Sequence, residues 1–381
     1  MTIERRVLSM NATTIRPVVT RSDEKKFIKF QWVPYRGNPF WVPPLLMDRR
    51  KLIDRKGNPF YRHAAMELFL AERDGKVVGR IGAIVNDNHI KEHGENIGFF
   101  GFFECVDDQS VANLLFETAA KWLREKGVKA MRGPASPSVN DEYGLLIEGF
   151  DRPPAVLMTY NPAYYQILVE NFGFKKAQDL FAYYIHKDKV FNEKFRRIAD
   201  TVLKRESLKI RPLDMKRFDE EVALIRELYA RGWSKNWGEV PMTEEEFNYV
   251  AKDLKAVVDP RVVIVAESKG KPVGFGMSLP DLNQILIHNK HGWLIPGIIR
   301  ILLFKKRIDR VRIVILGVLP EYANTGIGAA LFYETGRRCV ESGYPHGEAS
   351  WVNEDNVMMN RGAELMQGTI DKRYRIYEKP L

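Results

Sequence analysis

The chain repeats itself, and the length of the repeat restricts it to folds that a whole domain can adopt twice. Thr14-Ile15-Arg16-Pro17 returns as Lys209-Ile210-Arg211-Pro212, an offset of 195 residues from Thr14 to Lys209. Leu70-Ala71-Glu72-Arg73-Asp74-Gly75-Lys76-Val77-Val78-Gly79 returns as Val265-Ala266-Glu267-Ser268-Lys269-Gly270-Lys271-Pro272-Val273-Gly274, again 195 residues from Leu70 to Val265. A period of this size exceeds any solenoid unit and suits a domain. The expected organisation is one copy over 1–190, a basic linker over 191–206 and a second copy over 207–381.

Composition narrows the class. With 45% hydrophobic and 28% charged residues in 381, there is material for two ordinary globular cores. Lys and Arg outnumber Asp and Glu by 59 to 49, which favours polyanionic partners: nucleotides, anionic lipid surfaces or RNA. Met1 to Val19 shows no apolar run and no small-residue cleavage site, so no signal peptide is expected. Cys105 and Cys339 stand far apart without metal-type spacing. Neither a disulfide framework nor a metal site follows, and a reducing cytoplasm is the expected setting.

Both copies show the same succession of elements. Each opens with a short strand ending in Arg-Pro, Ile15 to Val18 and Leu208 to Leu213. Phe218, Val222, Ile225, Leu228 and Tyr229 recur at helical steps in copy two. Hairpins are predicted at Glu67–Glu72 with Val77–Val85, and at Val262–Glu267 with Val273–Leu279, turning at Asp74-Gly75 and Lys269-Gly270. Apolar strands follow, Ile97 to Glu104 and Val311 to Val318. Helices over Gln109–Lys126 and Thr325–Glu341 then stop at Gly127 and Gly343. Between Phe116 and Phe332 the offset has widened to 216, so copy two carries an insertion before this helix. It is again 195 between Asn161 and Asn356, so copy one carries a compensating loop. The fold class read from this order is α/β, with α+β mixed sheets.

One segment carries more than architecture. Gly317-Val318-Leu319-Pro320-Glu321-Tyr322-Ala323-Asn324-Thr325-Gly326-Ile327-Gly328-Ala329 puts a glycine-rich turn between an apolar strand and a helix. Such a turn offers unpartnered amides and the positive end of a helix to a diphosphate. The segment resembles the coenzyme A signature of the GNAT superfamily of acyl-CoA N-acyltransferases, Val-x-Pro followed by Arg/Gln-x-x-Gly-x-Gly/Ala. The element order resembles that superfamily in both copies, which implies two tandem GNAT-like domains. Trp351 to Asn356 and Tyr374 to Lys379 are similar to the end of a bacterial branch of it. The resemblance assigns donor binding to Val318, Ala323, Asn324, Thr325, Gly326, Ile327, Gly328 and Ala329. Ala323 departs from the pattern, standing where Arg or Gln is usual. Copy one has Cys105-Val106-Asp107-Asp108-Gln109-Ser110 at this place, with two carboxylates and no glycine. Asp107 or Asp108 reads there as a helix N-cap.

The co-substrate implied is acetyl-CoA or a longer acyl-CoA, and the reaction is acyl transfer to an amine that must lose a proton. Glu354 and Asp355 end a strand of copy two and are candidate bases; their other reading is helix capping by Asp355 or Asn356. Tyr377 is a candidate acid on the last strand, beside Tyr374, with strand packing as the alternative. Glu104 ends the apolar strand of copy one, where related enzymes sometimes keep a base. Asn140, Asp141, Glu142 and Tyr164 lie on or after a Pro-punctuated loop and are candidate acceptor contacts.

The insertion suggests the kind of acceptor. Trp293 to Phe304 is an apolar run followed by Lys305, Lys306, Arg307 and Arg310. It falls well short of the ~20 residues a span needs. It suits peripheral contact through 293–310 at the inner membrane face, a wall for an acyl tail, or a buried helix sealing the copies. A small-molecule or lipid amine is the expected acceptor, and nucleic acid is not an expected partner. Two rival readings remain: an aminoacyl-tRNA-dependent transferase of tandem GNAT-like fold, and a non-catalytic acyl-CoA-binding protein.

Overall fold

A computed structural model describes residues 12–191, 193–205, 207–232 and 236–381. Most of the N-terminal stretch read for a targeting signal lies outside these residues, as do 192 and 206 of the linker.

Copy one begins with β1 (Thr14–Pro17), α1 (Arg21–Phe30) and α2 (Leu46–Ile53). The hairpin β2 (Ala64–Arg73) and β3 (Lys76–Asn86) leads through α3 (Asp87–His93) to β4 (Ile97–Cys105). Next come α4 (Gln109–Glu125) and β5 (Ala130–Gly133). The compensating loop holds β6 (Ala135–Ser136), β7 (Glu142–Tyr143) and β8 (Leu145–Glu148). The copy closes with α5 (Tyr164–Asn171) and β9 (Lys175–His186). Copy one then ends in α6 (Lys187–Val190), and the linker holds α7 (Glu193–Arg205).

Copy two repeats the order with β10 (Leu208–Pro212), α8 (Phe218–Gly232), α9 (Glu244–Leu254), β11 (Val263–Ser268) and β12 (Lys271–Pro280). Its insertion forms α10 (Asn283–Leu286) and α11 (Leu294–Phe304). Then follow β13 (Arg310–Val318), α12 (Ile327–Glu341), β14 (His346–Asn353), α13 (Val357–Leu365) and β15 (Thr369–Pro380).

The two hairpins turn alike because both central residues take positive φ, 51° and 71° at Asp74 and Gly75, 50° and 75° at Lys269 and Gly270. That geometry matches the twist of the flanking strands. Amphipathic helices cover the strands: α4 buries Val111, Leu115, Phe116 and Leu123, and α12 buries Ile327, Leu331 and Phe332.

All strands but β6 and β7, which pair with each other, join in one sheet, ordered β1-β2-β3-β4-β5-β15-β9-β14-β13-β12-β11-β10, with β8 pairing β15 off this path. The order reads the same from either end, and its centre holds an exchange. Copy two's last strand, β15, pairs with β5 of copy one, while copy one's last strand, β9, pairs with β14 of copy two. The two exchanged strands also pair with each other. Each copy is therefore completed by the other.

Parallel pairing of β4 with β5 covers only Ile97–Phe99, and that of β13 with β14 only Arg310–Ile313. Beyond these residues the strands diverge, which opens a cleft in each copy. In copy one, Phe102 takes φ 52° and its N–H turns to Ser136 Oγ at 2.8 Å.

Candidate active site

At the open end of β13, the chain passes Val318, Ala323 and Asn324 before α12 starts. Gly326 is the cap residue, with φ 86°, a conformation that suits glycine. A Cβ placed on Gly328 would meet nothing within 4 Å, so this turn of backbone faces open space. Thr325 Oγ1 takes the N–H of Ile327 at 3.3 Å, and Ala330 N–H returns to Gly326 O at 3.2 Å. The amides of Gly328 and Ala329 are those a helix start leaves without an intrahelical acceptor, and they lie at its positive end. These groups fit a diphosphate. Ala323 supplies no cation, but Arg205 from the linker helix α7 reaches the loop and donates to Thr325 O.

The corresponding start of α4 is closed. Asp108 accepts from the amides of Ser110 and Val111 at 2.9 and 3.4 Å, and Arg73 pairs with its other oxygen at 2.9 Å. The capping reading holds for Asp108, and a carboxylate occupies the place a phosphate would need.

The cleft of copy two opens into a cavity of about 900 Å³ that crosses the seam. This lies toward the upper end of sizes for small-molecule sites. The diverging strands contribute Val314, Ile315, Leu316, Val352 and Asn353. Much of the remaining wall is apolar, including Met277, Phe247, Leu286, Leu294, Ile298 and Ile301. Polar side chains also line it: Glu104, Arg80, Tyr35, Tyr165, Asn140 and Asp141 from copy one, and Tyr229 and Glu239 from copy two.

Three of these carboxyls hold their protons unusually well. Burial pushes Glu104 up to about 7, against the opposing pull of Arg80, Tyr165 and Tyr35. Tyr165 donates to Glu104 Oε2 at 2.7 Å, and Arg80 stands 3.5 Å from Oε1 while donating to Phe27 O at 2.7 Å. Tyr35 directs its hydroxyl to Tyr160 O at 2.9 Å. The same hydroxyl also faces Glu104 Oε1 at 3.4 Å, a longer and weaker donation. Burial also raises Asp141 to about 7, although Ser138 donates to it at 2.6 Å. Glu239 rises to about 7 for the same reason, opposed by the hydrogen bond from Tyr229.

Glu239 stands near the open end of β13 through its partner. Its partner Tyr229 packs with Phe275, Leu319 and Ile315 around the end of β13. Further along α8, Gly232 comes within 3.9 Å of Val318 O, measured from an added Cβ. Copy one secures the same segment, since Asn140 donates to Val240 O at 2.9 Å.

The residues expected from sequence divide. Glu104, Asn140, Asp141 and Glu142 line the cavity, Glu142 through a paired contact with Arg49. Tyr164 turns away and donates to Cys105 O at 2.7 Å; its neighbour Tyr165 faces Glu104. Glu354 is held by Lys176 at 2.7 Å and by the amide of Asp179 at 3.0 Å, off the cavity wall. Asp355 accepts from Gln178 at 2.8 Å, and Asn356 caps α13 through Met359 N–H at 3.1 Å. Tyr377 donates to Glu170 at 2.8 Å within the core of copy one. Glu239, Tyr229 and Arg80 join the cavity without a motif that marks them in the sequence. A Glu just after a helix of copy two was the one local signal, and its burial was not visible there.

Comparison with known proteins gives the family of the chain. The acetyltransferase (GNAT) family matches residues 222–361. A bacterial ceramide synthase of Caulobacter vibrioides is 38% identical over 379 residues, spanning 97% of both chains. Protein YghO of Escherichia coli is 34% identical over 379 residues, spanning 96% of this chain and 95% of its own. Among solved structures, a tandem GNAT protein from the clavulanic acid biosynthesis pathway superposes with a TM-score of 0.56. It has 12% identity and spans 97% of this chain and 98% of that one, a likeness of fold alone. On these matches, the chain belongs to the GNAT superfamily of acyltransferases and is built as a tandem of two such folds.

Proposed function

We propose that the protein transfers a fatty acyl group from acyl-CoA to the amine of a long-chain lipid. The observation that carries this reading is the cavity: largely apolar, about 900 Å³, and running from the donor cleft of copy two to buried carboxyls. Each methylene buried there contributes about 0.8 kcal/mol, so long chains on either substrate are favoured over short ones. The similarity to a relative named for ceramide synthesis supports an amine-bearing lipid acceptor.

In this reading, the start of α12 holds the diphosphate of the donor, with Arg205 beside it. An amide on the unpaired edge of β13, between Val314 and Val318, polarises the thioester carbonyl. Glu239 removes the proton that the attacking amine must lose. Its raised pKa suits a group that alternates between acid and base near neutrality. Glu104 and Asp141 bind polar groups of the acceptor next to its amine. Copy one, with its phosphate position closed by Asp108, shapes the acceptor end.

The test is purified protein with acyl-CoA and amine pairs of varied chain length, following thiol release and amide product by mass spectrometry. Long-chain amide with stoichiometric free coenzyme A is expected. Stabilisation by acyl-CoA without thiol release from any pair would leave a binding protein and refute the reading.

A further inference from the structure

The insertion that distinguishes copy two is apolar on both sides. Leu294, Ile298 and Ile301 of α11 line the cavity, so the helix is part of its wall. On the outer side Ile295 is 69% exposed, Leu302 64% and Leu303 69%, and Trp293, just before the helix, is 56% exposed. Elsewhere among the described residues, large exposed apolar side chains stand singly along the chain, apart from the adjacent pair Val357 and Met358. A contiguous apolar face of this kind marks a surface made for contact.

Its base is anchored to copy one. Trp32 donates to Lys290 O at 2.9 Å, and Leu46 N–H to Gly292 O at 2.8 Å. Charge then selects the partner. Between Leu282 and Ile308 there is no Asp or Glu, while Lys290, Arg300, Lys305, Lys306 and Arg307 all carry positive charge. Lys305, Lys306 and Arg307 are exposed directly beyond the helix. A second copy of the chain is disfavoured, because a two-fold interface would bring two such rims together. An anionic bilayer satisfies both features, with apolar side chains entering the acyl boundary and cations meeting headgroups. Among the described residues no helix is long and apolar enough to cross a membrane, which leaves α11 in the plane of the interface.

We propose that α11 and the basic turn after it dock the protein on an anionic lipid bilayer, and that lipid substrate enters the cavity past this helix. The second part rests on the lipid-amine reading above; the docking does not.

The test is flotation of the full-length protein with phosphatidylcholine vesicles, with and without phosphatidylglycerol. Binding is expected only to the anionic vesicles and is expected to weaken as salt is raised. Leu302→Glu with Leu303→Glu, and separately Lys305→Glu, Lys306→Glu and Arg307→Glu together, are expected to weaken it by on the order of 100-fold. None of these side chains lines the cavity, so both variants are expected to retain thermal stabilisation by acyl-CoA, which also reports their folding. Equal binding to neutral vesicles, or full binding by both variants, would overturn the docking. So would a dimer that the Glu variants dissociate in a protein with no vesicle affinity. Docking without acyl transfer from any donor would remove the proposed function and leave the surface assignment intact.

Discussion

The phenol of Tyr229 donates to the carboxylate of Glu239, and His93 Nε2 of copy one holds the carbonyl oxygen of the same glutamate at 2.7 Å. One residue at the seam is thus fixed from both copies, beside the strand end that would receive the thioester. Glu239→Gln keeps the size of the side chain and removes its capacity to take a proton. Its kcat is expected to fall by about 10²- to 10⁴-fold with acyl-CoA affinity unchanged. Glu104→Gln is expected to raise the KM for the amine more than it lowers kcat. The opposite pattern in steady-state kinetics would move the base to copy one.

The buried carboxyls give activity and stability opposite pH dependences. With Glu239 as base, kcat/KM should rise as pH passes through about 7. Stability should fall toward that pH. Glu104 and Glu239 ordinarily release their protons near 4.5 and Asp141 near 3.8, but in the fold all three hold them to about 7. Between those values the native state binds protons that the unfolded chain has lost, so their contribution to stability declines as pH rises and levels off above 7. Melting curves from pH 5 to 8 measure this, and the slope should flatten in Glu104→Gln. An unchanged slope in that variant would contradict the assignment.

Gly328→Asp tests the donor site without steric conflict, since the space before that glycine is open. A carboxylate in the first turn also suits the helix dipole, so the ligand-free protein should melt no lower than wild type. Acyl-CoA at about one hundred times its dissociation constant stabilises the wild type by about 2.7 kcal/mol, and the variant should lose that shift. A retained shift, read by calorimetry or dye fluorescence, would place the donor elsewhere.

Ile301→Trp fills part of the cavity from the α11 side. Each methylene then excluded should cost about 0.8 kcal/mol, roughly fourfold in kcat/KM. Profiles against donor and acceptor chain length should show one of the two optima shortened. Two unmoved profiles would show that neither chain reaches this wall.

Much of the fold was legible because its signals are local. The positive-φ turns at Asp74-Gly75 and Lys269-Gly270, the glycine stops at Gly127 and Gly343 and the cap at Asp108 are set by their own backbone chemistry. Helix α12 starts at Ile327, two residues after the Thr325 expected from sequence. The site was less legible because side-chain direction is decided within elements. Tyr374 and Tyr377 are three apart on β15 and so lie on opposite faces: Tyr374 packs against Trp351, and Tyr377 enters the core of copy one. Tyr164 and Tyr165 differ by one helical step, and that step decides which of them meets Glu104.

The sequence alone determined that there are two copies, which of them carries the glycine-rich turn, and where an apolar insertion with a basic edge interrupts the second. These are matters of repetition and of near-neighbour chemistry. Only the tertiary structure decided that β9 and β15 change places, that Glu239 is buried beside Tyr229, and that α11 is part of the cavity wall. Strand partners and burial depend on residues distant in the chain, and in a duplicated fold either copy offers an equivalent edge. No local pattern distinguishes those edges, so packing across the seam makes the choice.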